Sequence, residues 1–163
     1  MAVSITWSQS AGGAAQSDPY DLGIVDAGTT AGLSTVFIRH DGAFEITDCS
    51  FYIQPYAGPS YEGNGTPQSD YDLMLTWGDR VGVDGGLEVD QGSGWEHYNS
   101  TQGVASTPFV LTCGTGTNPD DIAIGLPGEV SVDLRILVPA AGQPLVVPGY
   151  VFFDHCLKYT YTS

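Results

Sequence analysis

Ser34-Thr-Val-Phe-Ile-Arg-His40, Asp41-Gly42 and Phe44-Glu-Ile-Thr-Asp-Cys-Ser-Phe-Tyr-Ile-Gln54 form the stretch on which the fold turns. Both flanking runs are dense in β-branched and aromatic side chains, which pack well on a pleated, half-buried surface. Asp-Gly between them suits a tight turn, because Gly has no Cβ and Asp tolerates positive φ. The stretch therefore predicts a β-hairpin. Upstream, Tyr20-Asp-Leu-Gly-Ile-Val25 reads as a third short strand, set off by the small-residue segment Asp26-Ala-Gly-Thr-Thr-Ala-Gly-Leu33.

The rest of the chain carries the same signature. Its 163 residues fit one domain that can bury a core without disulfides or metal. The 22 glycines and 10 prolines fall between extended runs without a period, which marks the turns of an all-β protein. Nineteen acidic side chains against four basic ones give a formal net charge of -15. Such a surface repels a phosphate backbone and anionic lipid alike, so neither nucleic acid nor membrane is expected as a direct partner. No apolar run approaches the roughly 20 residues of a membrane-spanning helix. Met1-Ala-Val-Ser-Ile-Thr-Trp7 has neither the basic start nor the apolar core of a secretory signal, so cytoplasmic synthesis is expected. Cys49, Cys113 and Cys156 are odd in number and widely spaced, which predicts free, buried thiols rather than disulfides or a zinc site.

Taken in order, residues 1–18 read as a flexible arm with a short strand through Ile5 and Trp7, and residues 19–163 as a single β-sandwich domain. Residues 55–69 are too rich in Pro and Gly for helix or central strand and read as a surface loop presenting Tyr56 and Tyr61. Asp70-Tyr-Asp-Leu-Met-Leu-Thr-Trp77 is the credible helix, about two turns long, capped by Ser69 or Asp70 and ended by Gly78. Asp79, Asp84, Glu88 and Asp90 follow closely among glycines. They lack the spacing of an EF-hand, so no metal is assigned and they stand only as weak candidates beside a strand whose acids face water. Gly92-Ser-Gly-Trp-Glu-His-Tyr98 reads as an aromatic-tipped loop. The run Thr107-Pro-Phe-Val-Leu-Thr-Cys113 is extended, and a polar loop with a turn at Asn118-Pro119 follows it. In Glu129-Val-Ser-Val-Asp-Leu-Arg-Ile-Leu-Val-Pro139 the even-numbered positions are apolar, and in Val151-Phe-Phe-Asp-His-Cys-Leu-Lys-Tyr-Thr-Tyr161 Phe153, His155, Leu157, Tyr159 and Tyr161 share a face. These two long strands are expected to pair antiparallel.

Catalytic signatures are missing from the local sequence. No serine sits in a Gly-x-Ser-x-Gly elbow, the three histidines are scattered, and no glycine-rich phosphate loop opens a helix. Dispersed carboxylates of a glycoside hydrolase leave no local trace. The expectation is a non-enzymatic protein without cofactor, built as an antiparallel β-sandwich, jelly-roll arrangements included, with one short helix near residues 70–77.

Within that fold, Leu22-Gly-Ile-Val-Asp-Ala-Gly-Thr-Thr, Val36-Phe-Ile-Arg-His-Asp-Gly and Ile46-Thr-Asp-Cys-Ser-Phe-Tyr-Ile resemble the β-sandwich subunits of tailed bacteriophages. Tyr71-Asp-Leu-Met-Leu-Thr-Trp-Gly-Asp79, Val132-Asp-Leu-Arg-Ile-Leu-Val-Pro139 and Leu157-Lys-Tyr-Thr-Tyr161 are similar to phage tail and baseplate proteins. The resemblance implies a virion structural protein, made in the host cytoplasm, that acts as a homo-oligomer docking onto other virion proteins of the tail or baseplate. Capsid decoration is the neighbouring alternative. A different class, a carbohydrate-binding sandwich, would stack sugar on Trp95, Tyr98, Tyr61 or Tyr56.

Overall fold

Apolar side chains at alternate positions need a second apolar layer to cover them, and here two antiparallel sheets supply one another. The computed structural model describes residues 4–16, 24–30, 34–40, 46–80, 85–111, 128–140 and 149–161. In chain order the elements are β1 (Ile5–Ser8), β2 (Ser34–His40), β3 (Ile46–Pro55), α1 (Pro67–Gly78), β4 (Gly86–Asp90), β5 (Trp95–His97), β6 (Phe109–Val110), β7 (Gly128–Leu137) and β8 (Phe153–Tyr161). The five-stranded sheet has the order β1-β2-β7-β4-β5 and the three-stranded sheet the order β6-β3-β8. The protein is an all-β sandwich, with one helix among the described residues.

The expected hairpin is not formed. Ser34–His40 pairs with β1 and β7 in one sheet, and Ile46–Pro55 pairs with β6 and β8 in the other. Asp41-Gly42 lies outside the described residues. A period-2 pattern says which face is buried but not which strand lies alongside, and two runs facing one core from opposite sheets carry the same pattern. The same reason overturns the expected pairing of the two long C-terminal strands. Glu129 to Leu137 lies between β2 and β4, whereas β8 pairs with β3. The short strand through Ile5 and Trp7 does form, at the edge beside β2. Of the third upstream run, residues 20–23 are outside the described residues; Ile24 and Val25 are in no strand, and Ile24 is almost wholly exposed. Cys113 and the turn at Asn118-Pro119 are likewise outside them.

The core sits between the sheets. Val36, Ile38, Leu87, Val89, Val132 and Leu134 come from the larger sheet, and Ile46, Cys49, Phe51 and Ile53 from the smaller. Each such side chain contributes about 1.5–3 kcal/mol by leaving water. The register of β3 against β8 shifts between Thr47 and Ser50, where Asp48 adopts a φ of 52°. This bulge keeps the inward row continuous: it turns Cys49 into the core and lets its carbonyl accept the Leu111 N–H at 2.8 Å.

The helix is longer than expected and starts earlier. Thr66 is its N-cap, with Ser69 closing a reciprocal capping box, and Pro67 stands in the first turn where its missing N–H is harmless. Asp70 is not a cap but a buried acceptor. Met74 and Trp77 are the buried apolar residues of α1, which touches β4 of one sheet and β3 and β8 of the other. Gly78 lies inside the helix, whose C-cap is Asp79. A Cβ at Gly78 would run into the Tyr98 carbonyl oxygen, so only glycine lets α1 settle this close to the chain leaving β5.

Candidate functional site

The acidic stretch after α1 was expected to face water. Glu88 instead is fully buried, on the outer face of the larger sheet. Antiparallel register sets it between Arg135 of β7 and His97 of β5. Its Oε2 accepts a hydrogen bond from Arg135 Nε, and its Oε1 lies 3.0 Å from His97 Nδ1 without the alignment of a hydrogen bond. The Arg135 guanidinium also lies 4.0 Å from the centroid of the Trp95 ring. Long cross-strand neighbours thus roof over a carboxylate that sequence alone places at the surface, and the Arg135 guanidinium beside it offsets the cost of its burial.

The other acids of that stretch are committed locally. Asp79 Oδ1 accepts from the Ser100 N–H at 2.9 Å and the Ser100 hydroxyl at 2.8 Å. Asp90 Oδ1 accepts from the Gly94 N–H at 3.0 Å and the Gly92 N–H at 2.6 Å, which hold its carboxyl below the usual carboxylate range. Asp84 lies outside the described residues. Among the described residues no group of three or more His, Cys, Asp or Glu is placed to hold a metal ion.

The four aromatic candidates separate. Tyr98 is a core side chain with no exposed face, so it cannot stack a sugar. Its hydroxyl lies 2.8 Å from His155 Nε2, and the His155 ring is enclosed by Trp7, Phe51 and Tyr98 at centroid distances of 5.1, 5.4 and 5.6 Å. Burial pushes the His155 imidazole down from 6.5 to about 4 and the Tyr98 phenol well up. The hydroxyl therefore donates and the neutral ring accepts. Trp95 belongs to a strand rather than a loop and rests on Arg135.

Tyr56 and Tyr61 do come together, with centroids 6.4 Å apart, and Phe152 joins them at 5.4 and 5.6 Å. Tyr61 donates to Asp70 Oδ2 at 2.9 Å, and the same oxygen accepts the Phe152 N–H at 2.9 Å. Tyr150, 69% exposed, packs on Phe152 at 6.2 Å and forms the outer rim of the cluster. Phe152 and Tyr150 were missed in the sequence. Their only signal there is an aromatic pair flanking Val151 just before a strand, which reads equally as core.

A third feature is the outer edge of β8. Ile53 of β3 directs its N–H to Gly103 at 2.9 Å, away from β8, so Ile53 and its partner His155 form a non-hydrogen-bonded pair. By the alternation of an antiparallel ladder, the N–H and C=O groups of Phe153, His155 and Leu157 point outward. Among the described residues no strand pairs on that side of β8. No protein-family model matches the sequence, and no curated protein matches it.

Proposed function

We propose that this chain is a non-enzymatic structural subunit of a phage particle, placed in the tail or baseplate, that works by self-association and by docking onto neighbouring virion proteins. The observation that carries this reading is the nine-residue edge strand β8 with its outward row of backbone donors and acceptors. An edge of that length is a template for strand pairing, and monomeric β proteins blunt theirs with charge, proline or a covering segment. β8 has no proline, and Lys158 is its single basic side chain. The sequence resemblance to tail and baseplate subunits supports the same reading.

Light scattering over a concentration series tests it. An assembling subunit gives a defined oligomer whose mass holds over a range of concentrations; a strict monomer at every concentration refutes self-association. The exposed rim at Tyr150 favours one second reading, a carbohydrate platform built on Tyr150, Phe152 and Tyr61, with Tyr56 buried beneath them and closed to a sugar. Glycan-array binding lost in Tyr150→Ala supports that reading, and silence across the array removes it.

A further inference from the structure

We infer that the occupant of the β8 edge is a second copy of this chain, its β8 antiparallel to the first, in the register that sets Cys156 opposite Cys156. The inference rests on the assembling-subunit reading and gives it a partner and a geometry. Charge selects the register. A two-fold axis through Cys156 brings Asp154 of each copy opposite Lys158 of the other, making two cross-strand ion pairs. Moving the axis to His155 sets Asp154 against Cys156 and Lys158 against Phe152; moving it to Leu157 sets Asp154 against Thr160 and Lys158 against Cys156. Either shift loses both ion pairs.

Among the described residues both charged groups keep capacity for this contact. Lys158 is the sole lysine of a chain with 19 acidic side chains, is exposed, and has no ion-pair or hydrogen-bond partner among the described residues. Asp154 uses Oδ2 for the Ala57 N–H at 3.1 Å and the Gln54 amide at 3.4 Å, which leaves Oδ1 for a second copy.

Backbone and packing agree with the same register. His155 and Leu157, whose peptide groups point outward, fall opposite one another and form the hydrogen-bonded pairs on either side of the axis. On the inward face Tyr159 meets Phe153 of the second copy. Phe153, Leu157 and Tyr159 are half-buried in one copy, so pairing extends the core across the axis. The net charge of -15 per chain opposes association at long range, a repulsion that added salt screens together with the two exposed ion pairs.

Cys156 reports the register directly. It becomes a non-hydrogen-bonded pair with a Cα separation of about 4.5 Å, inside the range a disulfide spans. Diamide accepts the two electrons and two protons released when two thiols join. Treated with diamide, the full chain forms a covalent dimer on a non-reducing gel, and Cys156→Ser abolishes it. Under reducing conditions Lys158→Glu sets like charges across the axis and weakens the dimer seen by light scattering about tenfold or more, from two pairs at roughly 0.5–1 kcal/mol each. The exchange Asp154→Lys with Lys158→Glu restores it. An oligomer that gives no Cys156 cross-link, or one indifferent to Lys158→Glu, overturns the β8 pairing and leaves the assembling reading standing. A monomer without cross-link overturns both.

Discussion

Lowering the pH from neutral to about 4 tests the buried Tyr98–His155 pair. The neutral His155 ring accepts the Tyr98 hydroxyl at 2.8 Å among Trp7 and Phe51, and burial lowers its pKa from 6.5 to about 4. An unfolded chain takes up this proton near 6.5 while the folded one resists until about 4, so acid favours unfolding. The contribution is full above the unfolded value and falls by about 1.4 kcal/mol per pH unit as the pH drops between the two values. Below about 4 it levels off, after a total loss of about 3 kcal/mol. Urea denaturation across this window measures the effect. His155→Gln is the reference: its amide still accepts the hydroxyl, does not titrate, and leaves every other carboxylate and histidine in place. The difference between the two profiles isolates one group. Parallel profiles for the natural protein and His155→Gln through the window would refute the reasoning.

Two further outcomes follow from packing and charge. Glu88→Gln leaves Arg135 and His97 facing a neutral amide on the covered sheet face and costs about 2 kcal/mol, discounted because Arg135 is partly exposed. A urea midpoint shift equivalent to less than about 0.5 kcal/mol would mean the buried carboxylate is held by something else. Gly78→Ala forces a methyl against the Tyr98 carbonyl oxygen and costs about 3 kcal/mol, measured by thermal unfolding. A fully helical, equally stable Gly78→Ala would show that α1 can back away from the chain leaving β5.

Much of the local structure was legible from the chain. The alternation in residues 130–138 placed Val132 and Leu134 inward, and both are buried. The helix was visible from its apolar spacing, though its start was read late: Thr66 and Ser69 form the capping box three residues apart with serine in place of the usual Glu or Gln. Of the aromatic candidates, the pairing of Tyr56 with Tyr61 lies within one loop, whereas Phe152 reaches them from a segment distant in sequence. Glu88 was misread because its alternation with the inward Leu87 and Val89 sets it on the outer face of the sheet, and only its cross-strand neighbours cover it there.

By itself the sequence determined the fold class and the alternation of faces along β7 and β8, because a period of two residues is a property of each strand alone. Only the tertiary structure decided which strands lie side by side. Backbone hydrogen bonds are the same for any strand partner, so the choice rests on how two sheets share one core. That choice separated β2 from β3 and β7 from β8, gathered Arg135, Glu88 and His97 into one row, and left β8, among the described residues, at an edge with alternate peptide groups facing outward.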